Sequence, residues 1–159
     1  MRPRVLGIGN VARRDDGVGV WVARRLAARL EDKADVRVLG DDGFALLDAL
    51  AGVDEAVIVD AVQSGAPAGT LHRFDAAAAA LPPDQLRCST HLLGIAEAIE
   101  LARALGELPA RLAVYGIEGA DFGIGEGLSA PVAAAAAALV ETLVEALACG
   151  SAPIDDRGL

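Results

Sequence analysis

The stretch Arg4-Val-Leu-Gly-Ile-Gly-Asn-Val-Ala-Arg-Arg-Asp-Asp-Gly-Val-Gly19 decides the fold of this chain. Its first five residues form a short apolar run that ends in glycines, which is typical of a buried β-strand. Apolar residues then recur at helical spacing between positions 18 and 30, with arginines on the opposite side, which predicts a helix. A strand, a polar loop and a helix in this order are the first unit of an α/β domain with a parallel sheet.

The rest of the chain repeats the alternation of strands and helices. Further strands are predicted at 36–39, 56–59, 70–74 and 111–116, and further helices at 45–51, 91–105 and from 129–131 onward. The pattern predicts a three-layer α/β/α sandwich with a mostly parallel sheet of about five strands. The strand at 70–74 follows its predecessor after a loop too short for a helical crossover, so we expect it to be antiparallel or at an edge. Residues 1–150 are expected to form a single domain and residues 151–159 a flexible tail.

The composition limits the classes of function. The chain has 159 residues and a formal charge of −9, which argues against nucleic acid as a partner. Its two cysteines, Cys88 and Cys149, form no dense disulfide framework, and no secretion signal is evident, so we expect a cytoplasmic protein and a monomer. The apolar segment 131–149 carries Glu141 and Glu145 on one helical face, which favours a packed surface helix over a membrane span.

Three polar residues stand at the ends of predicted elements. Asp16 lies in the first loop, Asp60 follows the apolar run 56–59, and His91 opens a predicted helix that Ser89 or Thr90 could cap. In a parallel α/β sheet such positions gather at the carboxyl edge of the strands. Two carboxylates and an imidazole at one edge predict an oxygen and nitrogen site for a borderline metal ion.

The first loop also permits a nucleotide interpretation. Gly7-Ile-Gly-Asn-Val-Ala12 fits the loose dinucleotide fingerprint, but Asp15, Asp16 and Gly17 delay the helix and place negative charge near the phosphate position. One of the two acids is expected to cap the helix at residue 18, and we assign Asp15 to support and Asp16 to the ligand. The glycine-rich segment 119–127 predicts a mobile loop.

Common hydrolase arrangements are missing from the sequence. Neither the Gly-x-Ser-x-Gly elbow nor the His-Glu-x-x-His zinc pattern occurs. Cys88 and His91 would be poorly placed as a thiolate–imidazole pair, because residues three apart across a helix cap seldom meet. Ser64 and His72 show no sign of forming a dyad, and His72 is expected to be an exposed strand residue.

Taken together, the motifs resemble one family, the nickel–iron hydrogenase maturation endopeptidases. The resemblance covers nearly the whole chain, and it depends on the order and spacing of several short motifs. These are Leu6-Gly-Ile-Gly-Asn10, Asp15-Asp-Gly-Val-Gly19, Val59-Asp-Ala61, Pro67-Ala-Gly-Thr70, Ser89-Thr-His91, Gly116-Ile-Glu118 and the Leu-Ser-x-Pro sequence that ends at Pro131.

The resemblance implies a protease that removes the C-terminal extension of a hydrogenase large-subunit precursor after nickel insertion. It also implies that Asp16, Asp60 and His91 contact the metal, and we assign catalysis to the same three residues. Our hypothesis is that the nickel is carried by the substrate, that water attacks the peptide, and that Asp16 or Asp60 is the base. The alternative from another class is a non-catalytic module that binds nickel or a dinucleotide.

The chain departs from the family pattern at two places. The sequence after the second strand is Gly40-Asp-Asp-Gly43, so the family's single aspartate there corresponds to either Asp41 or Asp42. Gly119 stands where the family usually has proline, which is expected to loosen that loop.

Overall fold

The computed structural model describes residues 1–82 and 93–150. The first loop contains a 3-10 turn, Arg14–Gly17, and a second turn, Glu31–Lys33, follows the first helix. The strands are β1 (Arg4–Ile8), β2 (Asp35–Leu39), β3 (Glu55–Val62), β4 (Leu71–Asp75) and β5 (Arg111–Glu118), and the helices are α1 (Val18–Leu30), α2 (Gly43–Leu50), α3 (Ile95–Leu105) and α4 (Ala130–Ala148). β1 and α1 have the bounds that the opening stretch of sequence predicts.

The five strands form one sheet in the order β2-β1-β3-β5-β4. β2, β1, β3 and β5 are parallel, and β4 pairs antiparallel with β5 at the edge of the sheet. The prediction of a mostly parallel sheet with one antiparallel edge strand is therefore confirmed. The short connection between β3 and β4 leaves no room for the helix that a parallel neighbour would need.

Helices cover both faces of the sheet, which confirms the three layers. α1 and α4 pack on one face over a core that includes Val57, Val59 and Leu139. α2 and α3 pack on the other face over a core that includes Ile58 and Leu112. By length and composition alone α4 could cross a membrane, with a mean hydropathy of 1.6, but six of its residues are buried in the first core.

Two central strands are longer than the sequence predicts. β3 was expected to end at Val59 and β5 at Gly116, but the two strands remain paired as far as Val62 and Glu118. Asp60 therefore lies inside β3 and not after it. Pairing between β1 and β3 stops at Gly7 and Val59, so Asp60 is the first residue of β3 beyond its pairing with β1.

The start of α3 also differs from its prediction. The helix begins at Ile95, because Gly94 has the extended backbone of an N-cap, with φ −82° and ψ 176°. The proposed cap residues Ser89 and Thr90, together with His91 and Cys88, lie outside the described residues, as does the segment 151–159 that was expected to be a flexible tail.

Candidate active site at the carboxyl edge of the sheet

The close approach of α1 to the sheet sets the position of the first loop. A Cβ atom on Gly19 would overlap the carbonyl oxygens of Ile8 and Val59, and one on Gly7 would overlap the carbonyl oxygen of Gly19. Only glycine permits this backbone contact. As a result the turn Arg14–Gly17, which carries both acids of the first loop, contacts β3.

Asp16 is nearly buried at the end of this loop, with 5% of its surface exposed. Its Oδ2 accepts a hydrogen bond of 3.2 Å from the amide of Asn10, and its own amide donates to the carbonyl of Arg13 at 3.1 Å. Gly9, with φ +143°, has no room for a side chain, because its Cβ would overlap the carbonyl oxygen of Asp16. The loop is therefore folded tightly around the carboxylate.

Asp60 is also nearly buried, at 4% exposed, on the strand that the turn contacts. Side chains alternate along a strand, so Asp60 points to the same face as Ile58 and Val62, which belong to the core under α2 and α3. The chain entering α3 passes this side of the sheet, because a Cβ on Gly43 at the start of α2 would overlap the carbonyl oxygen of Leu93.

The structure thus places two of the three predicted ligands, Asp16 and Asp60, on neighbouring elements at the carboxyl edge. His91 lies outside the described residues, two positions before Leu93, so its place in the site stays a prediction. Within residues 1–82 and 93–150 no three histidine, cysteine or acidic side chains are grouped closely enough to hold a metal ion. The described part of the site is a carboxylate pair that would need a third donor.

Asp15, the neighbouring acid, is fully buried and connects the first loop to the loop after β5. Its carboxylate accepts hydrogen bonds of 2.8–2.9 Å from the amides of Ala120, Asp121 and Ser129 and from the hydroxyl of Ser129. Burial by itself raises the pKa of Asp15, but these four donors outweigh it, and the net pKa lies below its usual value. The assignment of Asp15 to support is consistent with these contacts.

The capping prediction is wrong, and the loop that was predicted to be mobile makes backbone contacts with the first loop. The N-cap of α1 is Gly17, with no side-chain cap, so neither acid of the first loop takes that role. Residues 119–127 are held against the first loop, since the amide of Arg14 donates to the carbonyl of Gly125 and the amide of Gly125 to the carbonyl of Ala12, both at 2.9 Å. The glycines of this loop allow the tight path that these bonds require.

Glu118 is a buried carboxylate at the same edge whose role was not predicted from the sequence. It is 2% exposed, and it accepts hydrogen bonds from the amide and hydroxyl of Ser64 at 2.8 Å and from the amide of Gly65 at 3.0 Å. The Nε2 of His72 lies 3.1 Å from its Oε2, so the expectation of an exposed His72 is wrong. A carboxylate therefore lies between Ser64 and His72, which are not a dyad.

The four hydrogen-bond donors around Glu118 favour its ionised form. Burial by itself raises the pKa of Glu118, but the hydrogen bonds more than compensate, and the net pKa is lowered. The ionised carboxylate only accepts, so Nε2 of His72 is the protonated nitrogen. The sequence feature that could have indicated this role is a Glu at the end of an apolar strand, a position similar to that of Asp60.

The structure also separates the two acids that follow β2. Asp42 is the N-cap of α2, and its Oδ1 accepts a hydrogen bond of 2.9 Å from the amide of Phe44. Asp41 is half-buried and lines a cleft of about 350 Å³ with Gly9 and Asn10 of the first loop. Since Asp42 is used as a cap, Asp41 is the better candidate for the position that the family motif describes.

Comparisons with known proteins identify relatives of the chain. A family model described as HycI, hydrogenase maturation protease, matches residues 20–146. The hydrogenase 2 maturation protease of Escherichia coli K12 is 33% identical over 121 residues, which are 74% of this chain and 73% of that protein. The hydrogenase expression/formation protein HupD of Thiocapsa roseopersicina is 33% identical over 116 residues, which are 72% of this chain and 52% of HupD. The chain thus spans about half the length of that HupD.

Solved structures resemble the whole fold. The hydrogenase maturating endopeptidase HybD from E. coli superposes with a TM-score of 0.79 at 29% identity, and the match covers 94% of each chain. The [NiFe] hydrogenase maturation protease HycI from Thermococcus kodakarensis KOD1 gives a TM-score of 0.74 at 26% identity, with 92% of each chain covered. The resemblance that the sequence motifs indicated is confirmed.

The contacts of Asp15 predict a pH-dependent loss of stability in Asp15→Asn. An asparagine has one acceptor oxygen for four donors, so we expect the free energy of unfolding at pH 7 to fall by about 1–3 kcal/mol. Because the folded pKa is lowered, the stabilisation is present above the unfolded pKa and is lost as the pH falls through the folded value. The difference between wild type and variant should therefore shrink below about pH 4.

Urea unfolding of both proteins at pH 7 and pH 3 measures this difference. Asp48→Asn, at an exposed position of α2, is the matched control and should change little at either pH. An equal loss of stability in the two variants would contradict the role of Asp15.

Glu118→Gln is predicted to destabilise the connection between β3 and β4. The amide group of glutamine faces donors in place of an acceptor oxygen, which leaves at least one buried N–H or O–H unpaired, at a cost of about 1–3 kcal/mol. Thermal unfolding measures the change, with Glu107→Gln at an exposed site as the control. A melting temperature equal to that of the control would show that the cluster around Glu118 adds no stability.

Proposed function

The chain belongs to the hydrogenase maturation protease family, and from this premise we propose that it is an endopeptidase acting on a nickel–iron hydrogenase large-subunit precursor. In this proposal it removes the C-terminal extension after nickel has been inserted. The observation that supports it most is the placement of Asp16 and Asp60, two nearly buried carboxylates on neighbouring elements of a fold shared with hydrogenase maturation proteases.

The nickel in this proposal arrives with the substrate. Two nearly buried carboxylates on adjacent elements would offer oxygen donors and negative charge to a divalent cation that binds between them. Oxygen and nitrogen donors suit nickel, while softer thiolates of the precursor keep the metal in the substrate. With His91 as a third donor, Asp16 and Asp60 would bind the metal only weakly in its free form and recognise it in the loaded precursor.

Hydrolysis then requires a positioned water and a base. The oxygen of water bonds to the carbonyl carbon of the scissile peptide, one proton passes to the base, and the C–N bond breaks as the leaving nitrogen takes up a proton. Asp16 or Asp60 is the base, since no serine or cysteine nucleophile stands out in the sequence. Docking of the loaded precursor supplies the orientation that holds the peptide beside that base.

Nickel-loaded precursor should be cleaved at least about tenfold faster than nickel-free precursor, because docking depends on coordination by this site. The assay mixes purified protein with each precursor and follows the loss of the C-terminal extension on a gel. Equal cleavage of both forms would contradict recognition of substrate nickel. Tight binding of free nickel with no cleavage of either form would instead identify a non-catalytic nickel module.

Asp16→Asn, Asp60→Asn and His91→Ala should each lower kcat for the loaded precursor by about 100-fold or more. Each substitution removes a ligand or the base but leaves the core residues unchanged. Asp48→Asn is the control and should retain full activity, and thermal unfolding checks that all the variants are folded. Retained activity in Asp60→Asn and His91→Ala would exclude the proposed site, and loss of activity in Cys88→Ala would indicate a cysteine nucleophile.

A further inference from the structure

The outer face of the first loop and α1 has an unusual charge for this protein. The chain carries 23 acidic and 14 basic residues, yet every exposed charged residue between positions 13 and 30 is an arginine. The two acids in this segment, Asp15 and Asp16, are buried. We call the five exposed arginines the arginine face, and its members are Arg13, Arg14, Arg24, Arg25 and Arg29.

Three members of the arginine face are occupied by contacts within the protein. Arg14 pairs with Asp121 at 3.4 Å, Arg29 pairs with Glu141 at 2.9 Å, and the guanidinium of Arg13 donates to the carbonyl of Phe122. These bonds connect the first loop to the loop after β5, and α1 to α4. They leave the middle of the face, at Arg24 and Arg25, as its available positive charge.

Arg24 and Arg25 have no carboxylate within ion-pair distance in the part of the chain that the structure describes. The guanidinium of Arg25 instead stacks on the ring of Trp21, 3.3 Å from its centroid, and Trp21 is the only tryptophan of the protein. Arg25 and Trp21 together border two clefts, of about 220 Å³ and 360 Å³. Tryptophan and arginine are enriched among the residues that contribute most of the binding energy at protein interfaces.

The arginine face is continuous with the proposed active site. Arg24 borders the 220 Å³ cleft and also the 350 Å³ cleft that Asn10 lines at the carboxyl edge. The amide of Asn10 donates to Asp16. A polypeptide bound along α1 would therefore reach the loop that holds the proposed nickel ligand.

We propose that Arg24, Arg25 and Trp21 form a docking surface for a carboxylate-bearing segment of the precursor, an inference that rests on the proposed function. Charge complementarity selects this occupant, because an acidic segment is attracted by the arginine face and repelled by the rest of a protein with a net charge of −9. Nucleic acid fits less well, since an extended phosphate backbone would meet Asp121, Glu126 and Glu141 on either side.

The test is steady-state cleavage of nickel-loaded precursor by wild type and by R24E/R25E. At about 50 mM salt we expect KM to rise by about tenfold or more, with kcat within about twofold, because the substitutions act on docking. At about 500 mM salt the two KM values should converge, since exposed charges are then screened. R24Q/R25Q should give a smaller rise, and it serves as the second variant if the charge reversal impairs folding.

The matched control is R2E/K33E, which changes the net charge equally at the amino edge of the sheet. An unchanged KM in R24E/R25E, or an equal rise in the control, would overturn the docking surface. Displacement of the precursor by duplex DNA would assign the surface to nucleic acid. If the wild type does not cleave the precursor, the proposed function is wrong, but docking can still be tested. The Kd of the immobilised protein for the precursor is then compared between the wild type and the same variants.

Discussion

The backbone contact between α1 and the two strands beneath it determines the geometry of the functional edge. Gly7 and Gly19 remove the side chains that would separate the helix from β1 and β3, and the helix therefore begins against the carbonyl of Val59. Asp60 is the next residue of the chain, and Asp16 lies three residues before Gly19. A single close approach thus determines the distance between two acids that are 44 positions apart in sequence.

Four acidic side chains are buried in the described part of the protein, and they divide into two pairs by what surrounds them. Asp15 and Glu118 are each surrounded by four hydrogen-bond donors that lower the pKa, and each fixes a loop beside the site. Asp16 and Asp60 lie on the turn and on β3, which contact each other. The hydrogen bonds of the two anchors hold the adjoining loops in place, which in the proposed function would pre-organise Asp16 and Asp60 for the substrate.

The fold could be predicted from the sequence because its hydrophobic periodicities are strong. Continuous apolar runs and the helical spacing in α1 require no knowledge of distant contacts. The sequence predictions were wrong or incomplete for residues whose structure depends on contacts with residues distant in sequence. β3 continues through Asp60 because β5 pairs with it, and His72 is half-buried because its ring contacts Glu118. Asp15 accepts hydrogen bonds from Ala120 and Asp121 of the glycine-rich loop, a contact that the sequence did not predict. A carboxylate that anchors a loop and one that faces a ligand can occupy the same position in a sequence pattern. Spacing alone therefore could not predict the role of Glu118.

Charge is segregated across the first 30 residues, because the two acids of this segment are buried and its exposed charged residues are all arginines. In the proposed function, a metal cation would be attracted to the buried acids at the carboxyl edge, whereas an acidic segment would be attracted to the arginines on the outer side of the same loop and helix. Long-range attraction by the exposed arginines would raise the association rate, whereas metal coordination would contribute only in the bound complex, after water has been displaced. The arginines would therefore set the association rate of the precursor, and the acids would distinguish nickel-loaded from nickel-free precursor.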